Sequence, residues 1–85
     1  MKINVEGIAP FAKDQIIEIV THISGHSFNY LEKEAKVITT LVFETDEEDV
    51  DRTLECVKKA IKSSEIGKMI AFRVVPSGSV FYFKK

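Results

Sequence analysis

The sequence is poor in cysteine and tryptophan: its 85 residues hold one cysteine and no tryptophan. The single cysteine, Cys56, leaves no partner for a disulfide within these residues and excludes a zinc site made of cysteines alone. A lone thiol is typical of a reducing compartment, so we expect a cytoplasmic protein. Long apolar runs are missing too, because none approaches the roughly 20 residues that a transmembrane helix needs. We therefore expect no membrane span and no signal peptide.

Charge of one sign is not in excess either. Lysine and arginine together number 12 and the acidic residues 13, which gives a formal net charge of −1. Such a balance provides no long-range attraction for DNA or RNA, so we expect no nucleic-acid partner unless one edge collects the basic residues. The hydrophobic fraction of 45% suffices for a small core. Composition therefore predicts a single folded domain over residues 1–85.

The first half of the chain alternates between strand and helix patterns. "KINVEGI" places Ile3 and Val5 on one side, which predicts a half-buried strand. "FAKDQIIEIVTHIS" has apolar residues at helical spacing and is followed by Gly25, which predicts a helix that this glycine ends. "SFNYL" and "KVITTLVFET" are rich in aromatic and β-branched residues. They predict two further strands, joined by a hairpin turn at "EKEA".

The clearest periodicity follows in "TDEEDVDRTLECVKKAIKSS". Its apolar residues recur at helical spacing as one stripe, which predicts a second helix. The stripe consists of Val50, Leu54, Val57 and Ile61. Thr45 and Glu48 match a capping box at the start of this helix. "KMIAFRVV" then predicts a fourth strand, "PSGS" a turn, and "VFYFKK" a last strand.

This order of elements predicts an α+β fold: a two-layer ferredoxin-like (βαββαβ) domain. Short connections and right-handed crossovers favour an antiparallel sheet of strand order 4-1-3-2 with both helices on one face. The extra C-terminal β-strand would pair with the fourth strand and extend that edge. One end of the sheet would collect the two histidines and the acidic residues 44–48, and the opposite end residues 7–10, the "EKEA" turn and many of the lysines.

The two histidines of "HISGHSF", His22 and His26, lie on either side of Gly25. On one continuous helix they would point to the same side and could bind a metal together with an acidic residue. A left-handed glycine between them would instead end the helix and separate the rings. We therefore expect a helix terminus, with no metal and no cofactor, and keep a metal site at this pair as an alternative.

No combination of residues indicates catalysis. Cys56 lies in the middle of the second predicted helix, where no neighbouring base would activate it. The first loop, "GIAPFA", has neither the arginine of a phosphate-binding loop nor the cysteine pair of a metal carrier. Because no converging acid and base can be named, we expect a protein that is not an enzyme.

The remaining signal is apolar surface on the sheet. A two-layer fold leaves one sheet face uncovered, and the third and fourth predicted strands carry apolar residues on both sides. An exposed apolar patch is typical of an interface, so we expect a homodimer or a protein partner through this face or an edge strand. The candidate interface residues are Ile38, Val42, Met69, Ala71, Arg73, Phe81 and Phe83.

The sequence thus predicts a small non-catalytic binding or regulatory module that self-associates. One alternative is a domain that senses a small molecule or an anion through the 7–10 loop. Its candidate ligand-binding residues are Gly7, Ile8, Ala9, Pro10, Lys13 and Lys68. A second alternative is a nucleic-acid-binding domain that uses the basic end.

Overall fold

The computed structural model describes residues 1–35 and 37–77. Over these residues the chain is an α+β protein with a four-stranded antiparallel sheet and three α-helices. The strands are β1 (Lys2–Glu6), β2 (Phe28–Tyr30), β3 (Thr40–Thr45) and β4 (Arg73–Pro76), and the helices are α1 (Lys13–Thr21), α2 (Val50–Lys62) and α3 (Glu65–Met69). Short 3-10 turns at Pro10–Ala12 and Glu32–Glu34 precede α1 and β3.

The strands follow the order β2-β3-β1-β4 across the sheet, and every neighbouring pair is antiparallel. The register sets Ile3 opposite Phe43, and Val5 opposite both Leu41 and Val74. Because side chains alternate along a strand, these apolar residues all lie on one face. The helices cover that face. The sequence could not specify which of the two sheet faces they would cover.

The core lies between the covered face and one side of each longer helix. α1 contributes Ile16 and Val20, and α2 contributes Leu54, Val57 and Ile61, as its apolar stripe predicts. The largest side chains that are almost fully buried are Phe43, Ile3, Ile8, Ile16, Leu41 and Ile61. Burying one aliphatic side chain of this size contributes about 1.5–3 kcal/mol relative to leaving it exposed, so this layer is the main source of stability.

The start of α2 differs from the sequence prediction. Asp49 is the N-cap, and its carboxylate accepts a hydrogen bond from the Arg52 backbone N–H at 3.1 Å. Thr45 is instead the buried last residue of β3, and its hydroxyl accepts from the Glu47 N–H at 3.3 Å. The capping-box prediction was wrong because the chain uses residues 46–49 to pass from the sheet to the helix layer.

The predicted fourth strand, "KMIAFRVV", is partly helical. α3 ends at Met69, and β4 begins only at Arg73. The Ser64 hydroxyl caps α3: it accepts from the Gly67 N–H at 3.0 Å and donates to the Ile61 carbonyl at 2.6 Å. This network turns the chain directly after α2, and the apolar alternation of the segment gives no sign of it.

The connection between β2 and β3 is longer than the hairpin turn expected at "EKEA". The Leu31 N–H donates to the Val42 carbonyl at 2.8 Å, and the next strand residue is Thr40. Val37 and Ile38 therefore lie in the connection and not in a strand.

Part of the prediction falls outside the described residues. This applies to the last predicted strand, "VFYFKK", to Gly78 in the turn before it, and to Lys36. The candidate interface residues Phe81 and Phe83 belong to that strand.

Candidate interaction surface at one end of the sheet

Three connections meet at one end of the sheet, because β1 and β2 end there while β3 and β4 begin there. We call this surface the loop end; it comprises residues 7–12, 31–35, 37–39 and 69–72. The Ile8 N–H donates to the Thr39 carbonyl at 2.9 Å, which joins the first two connections. Gly7 has φ +82°, and a Cβ there would stand 3.0 Å from the Ala71 carbonyl oxygen. A glycine at this position lets the third connection pass close by.

Large apolar side chains that face solvent are concentrated at the loop end. Among the described residues, the strongly exposed ones are Phe11 (68%), Val37 (56%), Ile38 (81%) and Met69 (73%). Separate segments of the chain supply them, and all belong to the loop end. Single exposed apolar residues are common on proteins, whereas a group at one site is typical of a contact surface. The loop end is therefore the candidate interaction surface.

A pocket of about 270 Å³ lies at this end, between the first turn of α1 and the β2–β3 connection. Its polar lining consists of Lys13, Tyr30, Glu32 and Thr40, and its apolar lining includes Val37, Ile38 and Leu41. The Tyr30 ring packs on Phe43, with the two ring centroids 5.6 Å apart. A concave site with an apolar lining and a few polar groups is the usual form of a small-molecule site.

The residues proposed for ligand binding lie at the loop end or beside it, and all of them except Ile8 are at least partly accessible to solvent. Gly7, Ala9 and Pro10 form the turn before α1 and are at least partly exposed, and Lys68 is exposed near the end of α3. Ile8 is only 1% exposed and packs in the core. Its N–H already donates to the Thr39 carbonyl, so neither the side chain nor the N–H of Ile8 is open to a ligand in this structure.

The described residues proposed for an interface are divided between the loop end and the sheet. Ile38 and Met69 lie outside the strands, at the loop end, because β3 and β4 begin later than the sequence predicts. Val42 lies on β3 and is only 3% exposed, so it offers almost no surface to a partner. Ala71 and Arg73 are exposed, one before β4 and one at its first residue.

The sheet face that the helices leave uncovered carries both polar and apolar residues, because the register sets Asn4 on β1 beside Val42 on β3 and Val75 on β4. On β1 it carries Lys2, Asn4 and Glu6, which alternate with the core residues. The Arg73 guanidinium lies 2.9 Å from the Glu6 carboxylate, and the Lys2 amine lies 2.8 Å from that of Glu34. The hydrogen bond to Glu34 raises the pKa of Lys2. Between these charged pairs the face is shielded: Val42 is 3% exposed, and the Asn4 side-chain oxygen is buried without a hydrogen-bond partner in the described part of the chain.

The two histidines lie at the opposite end of the sheet and make separate contacts. α1 ends just before His22, and the His22 Nδ1 lies 2.8 Å from the Glu18 carbonyl oxygen. Gly25 has φ +79°, and beyond it the His26 Nδ1 lies 2.5 Å from a carboxylate oxygen of Glu47. Within residues 1–35 and 37–77, no group of three or more histidine, cysteine, aspartate or glutamate side chains is arranged to hold a metal ion.

Phe11, Tyr30 and Thr40 were not among the sequence candidates. Phe11 lies outside the apolar stripe of α1. An apolar residue outside such a stripe is expected to face solvent, so the exposure of Phe11 could have been predicted from the sequence. Tyr30 and Thr40 carry no comparable signal. They line one pocket only because β2 pairs with β3.

Fold and surface together define a class of protein: a small α+β domain with both ion pairs and valines on the uncovered sheet face, and with exposed apolar side chains in the connections at one end. No helix in the described part of the chain is long and apolar enough to cross a membrane. Comparison with models of known families, with curated proteins and with solved structures gives no match.

Proposed function

We propose that the chain is a small, non-catalytic binding or regulatory module that associates with a second copy of itself through the loop end. The observation that carries this proposal is the exposure there of Phe11, Val37, Ile38 and Met69, each more than half accessible to solvent. Removing such side chains from water contributes roughly 25 cal/mol per Å² of apolar area. Association would therefore be driven mainly by the hydrophobic effect.

A ferredoxin-like architecture is part of the proposal. Its support is the strand order, which reads β4-β1-β3-β2 from the β4 edge, with α1 between β1 and β2 and α2 between β3 and β4. The extra C-terminal strand stays a prediction. In such an architecture the loops can vary while the sheet and helices keep their packing, so the loop end is a suitable place for a specific contact.

Charges around the loop end favour a second copy as the partner. The Glu32–Glu34 turn carries Lys33 between two glutamates, and α3 carries Lys68 together with Glu65. A two-fold interface can set the lysines of one copy against the glutamates of the other. The formal net charge of −1 adds little repulsion between copies. The same mixture of signs disfavours nucleic acid, which binds where positive charge is in excess.

The non-catalytic part of the proposal is supported by the positions of the ionisable groups. The Arg73–Glu6 and Lys2–Glu34 pairs lie on the uncovered sheet face and not in a cavity. Cys56 is half-buried within α2, where a thiol commonly serves packing. The presence of a single cysteine also supports the proposal of a cytoplasmic location.

Sedimentation equilibrium in the micromolar range tests the proposal. The wild-type chain should behave as a dimer, and the double variant Phe11→Asp/Met69→Asp as a monomer. Both side chains face solvent in the single chain, so the substitutions should weaken the contact without disturbing the fold. Ser24→Asp/Ser27→Asp is the matched control, because it adds the same two negative charges at exposed positions of the opposite end. It should leave the dimer intact.

Two results would contradict the proposal. One is a wild-type chain that stays monomeric throughout the micromolar range, where a dimer is expected. The other is a dimer that the double variant leaves unchanged, because the contact surface would then lie elsewhere.

A further inference from the structure

The 3-10 turn at Glu32–Glu34 reaches from the loop end across the sheet face that the helices leave uncovered. The turn follows β2, Lys2 begins β1, and β3 lies between these two strands. The Lys2 ammonium group nevertheless lies 2.8 Å from the Glu34 carboxylate. Lys2 points to the uncovered face, because it alternates with the core residues Ile3 and Val5. The ion pair therefore bridges β3 on this face and keeps the turn against that strand.

A row of mostly apolar side chains crosses the same face. The register sets Asn4 between Val42 on β3 and Val75 on β4. Leu31 lies beside Val42, because its N–H donates to the Val42 carbonyl at 2.8 Å. Val42 is only 3% exposed, although the helices pack on the opposite face. A side chain this well shielded on a face without helices needs cover from another part of the chain.

We infer that the Glu32–Glu34 turn is a strap over β3 and that the Lys2–Glu34 ion pair is its latch. With the latch closed, the strap shields Val42 from water. With the latch open, the strap leaves β3, and the row from Leu31 to Val75 becomes accessible. The device sets how much apolar surface the sheet exposes, which goes beyond the proposed association through the loop end and does not depend on it.

The contacts of the strap are weak enough for it to open. None of its three residues is buried, and a 3.2 Å hydrogen bond from the Glu34 N–H to the Leu31 carbonyl ties its backbone to the end of β2. The latch side chains are 41% and 46% exposed, and an ion pair this exposed is weak and is screened by salt. In the closed arrangement the Asn4 side-chain oxygen is buried without a partner among the described residues, which opposes closure. After opening, Lys2 keeps a carboxylate nearby, because Glu44 lies opposite it on β3.

Methyl NMR of the full-length chain with a neutral gadolinium chelate tests the strap, because the chelate speeds the relaxation of the methyl groups that it can approach. In the wild type at low salt, the Val42 methyl groups should be affected little. Glu34→Gln should raise their relaxation enhancement about two- to fivefold, as expected for the loss of one exposed ion pair. Raising the salt concentration from about 0.05 M to about 1 M should have a similar effect on the wild type and a much smaller one on Glu34→Gln, because salt can screen only an intact pair.

Glu32→Gln is the matched control, since Glu32 is an exposed glutamate of the same turn and forms no ion pair with the described residues; it should leave the Val42 enhancement unchanged. Lys2→Gln/Glu34→Gln should match Glu34→Gln alone, because the two charges act as one pair. The methyl groups of Val57, which is fully buried in the core, report whether each variant stays folded. In a folded protein, an unchanged Val42 enhancement in Glu34→Gln, an equal rise in Glu32→Gln, or a wild-type enhancement that salt does not alter would each overturn the inference.

Discussion

Replacing Gly67 with alanine should destabilise the protein strongly, because α3 touches the end of α2 at this residue. An added Cβ would stand 1.7 Å from the Ile61 carbonyl oxygen and 2.5 Å from the carbonyl carbon. Since real Cβ atoms stay at least about 3.0 Å from such atoms, α3 would have to retreat by roughly 1 Å or more. The Ile61 carbonyl oxygen is a backbone atom, and it also accepts hydrogen bonds from the Ser64 N–H at 3.1 Å and the Ser64 hydroxyl at 2.6 Å.

The expected loss follows from the groups that move with α3. Ile66 is 7% exposed, and losing its burial completely would cost about 1.5–3 kcal/mol. Weakening the Ser64 hydroxyl bond adds about 1 kcal/mol, while the higher helix propensity of alanine offsets about 1 kcal/mol. The free energy of unfolding should therefore fall by about 1.5–3 kcal/mol. For a domain of this size that lowers the melting temperature by roughly 10–20 °C.

Urea unfolding followed by far-ultraviolet circular dichroism measures this difference. Gly25→Ala is the control, because Gly25 has φ +79° and no atom within 4 Å of the added Cβ. It therefore reports the strain of a positive φ alone, about 1 kcal/mol. A Gly67→Ala protein that equals the wild type, or that is more stable than Gly25→Ala, would refute the close contact between α3 and α2.

Two further predictions concern the ends of elements. Asp49→Ala should reduce the free energy of unfolding by about 1 kcal/mol, because the N-cap of α2 is lost. The control Glu48→Ala should change it by less than about 0.5 kcal/mol. Equal effects of the two substitutions in urea unfolding would argue against Asp49 as the cap. The hydrogen bond to Glu34 raises the pKa of Lys2 above 10.5, so the pair stabilises the fold fully below pH 10.5 and loses this effect as the pH rises through the higher folded-state pKa. Lys2→Gln should thus lower the urea midpoint slightly at neutral pH, and the difference from wild type should shrink above pH 10.5; a difference independent of pH would count against the pair.

The elements that could be predicted are those whose signals lie within a single segment. Alternation around Ile3 and Val5 identified β1, and the stripe from Val50 to Ile61 identified α2, because periods of 2 and 3.6 residues are properties of the local backbone. The cap of α2 was misplaced by four residues, from Thr45 to Asp49. Both residue types cap helices well, and only the path of the chain out of β3 selects between them.

The candidate surface was only partly predictable. Topology alone placed the 7–10 loop and Lys13 at one end of the sheet. Ile38 and Met69 were proposed as apolar interface residues of predicted strands. Their location was misjudged because an apolar residue in a β-rich segment reads as part of a strand, and the strand boundaries depend on pairing with distant segments. Tyr30 and Thr40 meet in a pocket through such pairing.

The sequence by itself determined the α+β class, the stripe of α2 and the absence of a strong net charge, because these properties arise from neighbours along the chain or from simple counting. Tertiary structure alone decided which sheet face the helices cover, that the other face of the described strands combines charged residues with valines, and that the exposed apolar side chains lie in the connections at one end. The physical reason is that each of these depends on the register between strands far apart in sequence, where a shift of one residue exchanges the two faces of the sheet.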